Sequence, residues 1–222
     1  MFERRIIATE DGSSSIYVEG LNEQYHSIHG AVQESMHVFI KYGLDLCEQK
    51  SISILEIGFG TGLNALLTVI EAKKKGLKIK YHSLEKYPLQ QHEYSQLQFG
   101  NAFADNSNAL FLKLHDCEWE SAVDISPVFT MTKINVDLED WNPSQKYDLI
   151  YFDAFAPDKQ PNLWTESIFK KLYDSLNEGG ILSTYCAKGQ VKRNLKAAGF
   201  TIEPKPGPIG KREITVAIKR FL

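Results

Sequence analysis

Cysteine is scarce in this 222-residue chain, which has only Cys47, Cys117 and Cys186. They are far apart, odd in number and form no C-x-x-C pair, so neither a disulfide framework nor a zinc site is indicated. A reducing cytoplasm fits such cysteine usage. Long apolar runs are missing too, and none approaches the length of a transmembrane helix. Met1-Phe2-Glu3-Arg4-Arg5 has no apolar stretch behind it, so no secretory signal is expected. His26, His29 and His37 lack a cysteine or carboxylate partner at ligand spacing, so no metal is expected. There is no internal repeat and no low-complexity tract. What remains, 43% apolar, is an ordinary globular composition sized for one α/β domain with a small elaboration.

The net charge of −3 hides an asymmetry. Residues 188–222 hold nine Lys or Arg against two Glu, a balance of +7, so the other 187 residues carry −10. A basic end on an acidic body suits a polyanion such as RNA. A solvated helix face followed by a charged strand reads equally well.

The most informative stretch is Ile54-Leu55-Glu56-Ile57-Gly58-Phe59-Gly60-Thr61-Gly62. An apolar strand runs into a glycine turn, and Leu63, Leu66, Leu67 and Ile70 continue as a helical stripe. Glycines let the backbone approach a ligand closely, which points to a nucleotide-like cofactor at the end of the first strand of an open sheet. The dinucleotide pattern G-x-G-x-x-G fails, because Leu63 stands where its third glycine would fall. The E-x-G-x-G-x-G pattern instead resembles motif I of class I S-adenosylmethionine (SAM) methyltransferases.

Further along, the spacing predicts a hairpin over 2–19 and a helix over 31–48. Strand 52–57 and helix 62–75 follow, then strand 79–84 and helical segments at 89–98 and 106–115. Strands at 129–136 and 147–152 precede a helix over 163–177, ended by Gly179-Gly180. Strand 181–186, helix 189–198 and strands 200–203 and 213–218 complete the chain. Alternation argues for a parallel sheet. Only Pro204 to Arg212 separate the last two strands, too short for a helical crossover, so the last strand is expected to be antiparallel. The expected fold is a Rossmann-like α/β methyltransferase with a seven-stranded, mostly parallel sheet and an antiparallel last strand. Residues 1–50 form an N-terminal hairpin and helix extension contributing to the pocket, and 51–222 form the methyltransferase domain.

Three acids fall at strand ends. Glu85, 23 residues after Gly62, suits a nucleoside's ribose hydroxyls. Asp137 follows the third strand, where it can accept from an adenine amino group; Glu139 and Asp140 compete for that role. Asp153 follows Tyr147–Phe152 and opens Asp153-Ala154-Phe155-Ala156-Pro157, expected at the carboxyl edge of the sheet. A helix or turn cap is its bland alternative.

Taken together, the sequence resembles the methyltransferase half of the MnmC family, which modifies the tRNA wobble uridine. The resemblance spans the chain. It rests on Gln24-Tyr25-His26-Ser27 with Gly30-Ala31 and Glu34-Ser35, on the Glu56–Leu67 glycine motif, and on Leu84-Glu85-Lys86 with Pro88. Phe152–Pro157 with Pro161 and Trp164, and Gly210-Lys211-Arg212-Glu213, are the specific parts. Two-domain members add a flavin-dependent oxidase half, for which 222 residues leave no room, so a stand-alone methyltransferase is expected.

The resemblance implies methyl transfer from SAM to 5-aminomethyluridine in tRNA, giving 5-methylaminomethyluridine. Asp153 is the implied catalytic residue, taking the amine's proton or orienting the amine. Glu34, Glu56, Gly58, Gly60, Gly62 and Asn64 are assigned to the cofactor, with Glu85, Lys86, Asp137 and Asp153. Tyr25, Phe155 and Trp164 are stacking candidates for the base, beside Pro157; each reads equally as core or pocket wall. Lys188, Lys192, Lys211 and Arg212 are candidates for phosphates of the anticodon stem-loop. A separate oxidase or upstream wobble-uridine modification enzymes would supply the substrate; no membrane partner is expected. The alternatives are methylation of a small amine, with the basic end merely solvated, and a SAM-binding subunit without catalysis.

Overall fold

The computed structural model describes residues 3–99 and 107–220. A sheet of β1 (Arg4–Ala8), β2 (Ser14–Val18) and β3 (Glu23–Gln24) comes first. Arg4 ties it to the body, donating to Tyr87 O at 2.7 Å and pairing with Glu93 at 3.1 Å. The helix expected over 31–48 breaks into three pieces: α1 (Ala31–Ser35), a π-helical turn (Met36–Lys41) and a 3₁₀ turn (Leu44–Leu46). Gly43 fits there because any Cβ would stand 2.3 Å from Phe39 O. The Val38 carbonyl in the π turn accepts from Ser183 Oγ at 2.8 Å, fastening this segment to the main sheet.

The main body alternates as expected: β4 (Ser51–Ile57), α2 (Leu63–Lys75), β5 (Lys78–Leu84), α3 (Gln91–Tyr94), α4 (Ser107–Asp116), β6 (Ala122–Ser126), β7 (Phe129–Ile134), β8 (Tyr147–Phe152), α5 (Glu166–Ser175), β9 (Leu176–Thr184), α6 (Gly189–Ala197), β10 (Thr201–Pro206) and β11 (Glu213–Ile218). Residues 2 and 106, the expected first residues of the hairpin and of α4, lie outside the described residues. The strand order is β10-β11-β9-β8-β4-β5-β7-β6. The chain steps one way from β4 to β5 and β7, and the other way to β8 and β9, so a switch point lies beside β4. As expected, β11 is antiparallel; it inserts between β9 and β10.

Two differences from the sequence reading are informative. β6 adds an eighth, antiparallel edge strand; its short Ala-Val-Asp-Ile-Ser pattern gives little apolar signal. The helix expected over 163–177 stops at Ser175, and Gly179-Gly180 lie inside β9. Gly179 N donates to Lys219 O at 2.8 Å and Lys219 N to Gly180 O at 2.9 Å, so pairing with the segment after β11 outweighs the helix-stop signal.

β4 shows the period of two that builds both layers. Ile52 and Ile54 pack on one side with Leu63, Leu66 and Leu67 of α2; Leu55 and Ile57 pack on the other with Phe169 and Leu172 of α5 and Leu195 of α6. Glu56 shares the α2 face and is fully buried. Among the described residues no helix is long and apolar enough to cross a membrane.

Candidate active site

Parallel register brings the three sequence-distant strand ends together. Ile57 pairs with Leu84 on one side and Phe152 on the other, so Gly58, Glu85 and Asp153 emerge side by side. Backbone bonds fix them: Gly58 N donates to Leu84 O at 2.9 Å, and Asp153 N donates to Ile57 O at 3.0 Å. A cavity of about 640 Å³ opens over this edge, within the usual range for a small-molecule site. The N-terminal segment roofs it, through Tyr25, His26 and Glu34.

Two glycines are required here. Gly58 has φ +89°, and a Cβ on it would stand 3.0 Å from Asp153 O; Gly60 has φ +51°, and its Cβ would meet the Tyr25 ring at 2.9 Å. Gly58→Ala is therefore expected to lower the unfolding free energy by about 1–3 kcal/mol. A urea titration reads this as a lower midpoint at unchanged slope; an unmoved midpoint would show that the loop can relax. Gly62 sits off the cavity, at the start of α2 against His115.

Thr61, between Gly60 and Gly62, is held by two histidines that sequence reasoning missed in this role. The His26 imidazole Nε2 lies 2.6 Å from Thr61 Oγ1, and His115 Nε2–H donates to Thr61 O at 3.0 Å. Burial pushes both imidazoles down to about 4, so both are neutral at pH 7 and the loop carries no imidazolium. Separations of 35 and 54 residues left no local signal for either contact.

Glu85 is presented rigidly. Its Oε2 accepts from Gly60 N at 3.0 Å and its Oε1 from Tyr87 N at 2.7 Å, leaving further lone pairs on both oxygens. Asp137 pairs with Lys86. Burial opposes its ionisation, but the Lys86 ammonium and the Glu139 N–H hold its carboxyl below the usual range. Asp153 Oδ2 accepts from Asn64 Nδ2 at 2.8 Å. Burial pushes the Asp153 carboxyl up to about 7; Asn64 and the Lys211 ammonium pull against that, and the Glu34 carboxylate adds to it. Glu56 lies beneath the cavity rather than on its wall, with Ser83 Oγ donating to its Oε2 at 2.5 Å. Burial pushes its carboxyl up to about 8. Glu56 Oε1 and Asn64 Oδ1 are both buried and without a hydrogen-bond partner, a setting that suits a neutral carboxyl.

The cavity wall therefore gathers Gly58, Gly60, Asn64, Glu85, Lys86 and Asp137 with Asp153, Tyr25, Glu34, Phe155 and Lys211. Tyr25 and Phe155 meet edge to face, 5.0 Å apart, at one wall. Other expected residues fall elsewhere. Trp164 is 3% exposed and edge-on to Phe152, with its indole N–H donating to Phe155 O at 2.8 Å. It is a pillar under the 155–165 loop, and no base can stack on it. Pro157 follows the wall residue Ala156 without lining the cavity. Lys188 pairs with Asp158, and Lys192 with Glu213 at 2.5 Å, so their charges are already compensated. Arg212 is exposed outside the cavity.

The elements fit a nucleoside-bearing cofactor: a glycine loop with no room for a side chain at Gly58 or Gly60, a fixed carboxylate at the second strand end and a second acid one strand over. Residues 82–220 match the model of a family described as S-adenosyl-L-methionine-dependent methyltransferase. The chain is similar to the tRNA 5-methylaminomethyl-2-thiouridine biosynthesis bifunctional protein MnmC of Leptospira interrogans, 32% identical over 89% of this chain and 33% of that protein. Its similarity to the Burkholderia thailandensis protein of the same name is 31% identity over 95% of this chain and 34% of that protein. The chain thus spans about a third of the length of these curated relatives. Among solved structures, MNMC2 from Aquifex aeolicus superposes with a TM-score of 0.82 at 24% identity, covering 98% of this chain and 70% of that one. Spermidine synthase from Thermotoga maritima gives 0.54 at 14% identity, covering 99% and 69%; these two likenesses concern the fold. With its matched model, its glycine loop and its strand-end acids, the chain belongs to the S-adenosyl-L-methionine-dependent methyltransferase family.

Proposed function

We propose that this chain methylates the amine of 5-aminomethyluridine at the tRNA wobble position, giving 5-methylaminomethyluridine. The observation that carries the reading is Asp153: a carboxyl near neutrality, on the wall of the cofactor cavity. The names of the MnmC relatives, which cite tRNA 5-methylaminomethyl-2-thiouridine biosynthesis, supply the substrate.

SAM supplies an electrophilic methyl on a sulfonium. Glu85 would hold the ribose hydroxyls through its free lone pairs, and Asp137, steadied by Lys86, would accept from the adenine amino group. Gly58 and Gly60 let the loop pass close against Asp153 O and the Tyr25 ring, and Asn64 holds Asp153 in one orientation. A primary amine is mostly protonated near pH 7 and then has no lone pair. An Asp153 carboxylate with a pKa of about 7 is matched to take that proton at Oδ1 or Oδ2, directly or through water. Tyr25 and Phe155 form the wall that the uridine would meet.

The paired Lys188 and Lys192 favour a second reading, methylation of a small amine without RNA. The deciding experiment incubates the protein with SAM and tRNA from cells that make the aminomethyl precursor but lack the methylating step. Digested nucleosides are then weighed. A one-methyl gain on 5-aminomethyluridine is expected. No gain with SAM binding intact would turn the assignment to the small amine.

A further inference from the structure

The cavity rim carries a charge arrangement that the proton transfer above leaves unused. Glu34, on α1, is ion-paired with Lys211 from the loop joining β10 to β11, 177 residues away. The second Glu34 oxygen accepts from Ser27 N at 3.1 Å, so the carboxylate is fixed on both sides. Lys211 Nζ also stands 4.4 Å from the centre of the Tyr185 ring. The Tyr185 hydroxyl donates to Ala154 O at 2.9 Å, next to Asp153. A fixed carboxylate and an aromatic face around one ammonium are the parts of an alkylammonium site.

The loop backbone is tied down independently of the lysine side chain, which is held by Glu34 and the Tyr185 ring. Gly207 N donates to Arg212 O at 3.1 Å and Lys211 N to Pro208 O at 2.9 Å. Gly210, at φ +83°, abuts His29 so closely that a Cβ would stand 2.8 Å from its ring. The four-carbon stem can swing out without moving the loop. The group also lies on the far side of Asp153 from Glu85 and Asp137. Those acids follow β5 and β7, whereas Tyr185 and Lys211 follow β9 and β10, with β8 between.

We propose that Glu34 and Tyr185 form the subsite for the acceptor's ammonium, and that Lys211 is a resident stand-in cation that the acceptor displaces. This rests on the amine-acceptor reading above. Before the acceptor arrives, Lys211 keeps Glu34 and Asp153 from facing each other without a counter-charge. It also selects by charge. An acceptor ending in a hydroxyl, or carrying a carboxylate there, cannot replace the ammonium against Glu34, and Lys211 stays in place.

The test compares wild type with Lys211→Met, Glu34→Gln and the double variant. It measures the acceptor KM and kcat on aminomethyl-bearing tRNA, and S-adenosylhomocysteine affinity by calorimetry. Lys211→Met removes the competitor, so the acceptor KM should fall about 3- to 30-fold, the combined worth of one ion pair and one cation–π contact. Glu34→Gln should raise the acceptor KM. In the double variant, which leaves no unpaired charge, the KM should no longer fall. S-adenosylhomocysteine affinity should stay within about twofold in all three. An acceptor KM that rises in Lys211→Met overturns the proposal. So does a loss of S-adenosylhomocysteine affinity, which would give the pair to the amino-acid end of the cofactor. Failure of wild type to methylate any amine, on tRNA or on a small molecule, overturns the amine reading, and this inference with it.

Discussion

Asp153→Asn is expected to slow methyl transfer by about 10²–10⁴-fold, or about 3–5 kcal/mol of barrier, while SAM binding changes only a few-fold. Asparagine keeps the shape and still accepts from Asn64, so the fold and the cofactor loop should survive. What it loses is the ability to take a proton. The pH profile separates the two roles Asp153 could have. A base works in its deprotonated form, so wild-type kcat/KM should climb as pH rises through about 7, where burial places this carboxyl. In Asp153→Asn that limb should vanish, leaving the ionisation of the amine itself. A slow variant that keeps the limb makes Asp153 an orienting group. Unchanged turnover removes it from the mechanism.

The second large effect is structural. Trp164→Ala should cost about 3–5 kcal/mol of stability, because the indole is buried between Phe152 and Phe169. The cost falls on the active site as well. Trp164 N–H holds Phe155 O, and Asn194 Nδ2 donates to Trp164 O at 2.7 Å, so the pillar joins the 155–165 loop to α6. Trp164→Phe should keep most of the packing and lose only the donor, about 1 kcal/mol. Chemical denaturation with acceptor KM measured alongside checks both variants. A Trp164→Ala protein of near wild-type stability with a raised acceptor KM would restore the indole to the stacking role that the sequence suggested.

The glycine loop shows what a short stretch can reveal. The strand period, the turn and the helix start all fall between Ile52 and Leu63, so the glycine loop at the sheet edge was legible before any tertiary contact was known. The position of Asp153 was legible for the same reason: an apolar strand followed by an acid, with strand and helix alternation placing both loops on one edge. Trp164 stays open in the sequence because a tryptophan beside a polar, proline-bracketed loop reads equally as a wall or as a pillar. Only the rings of Phe152 and Phe169 decide which. The basic end stays open in the same way. Lysines 188 and 192 are visible in the sequence, but their partners Asp158 and Glu213 lie 30 and 21 residues away.

By itself, then, the sequence determined the alternation of strands and helices with its antiparallel last strand, the glycine loop and the acids that follow the strands, because backbone period and turn chemistry act over a few residues. Tertiary structure alone decided the grip of His26 and His115 on Thr61, the neutral Glu56, the extra edge strand and the Glu34–Lys211 pair across the cavity. Those depend on which distant side chains the topology packs together, and on burial, which resets the charge of each group only once the chain has closed around it.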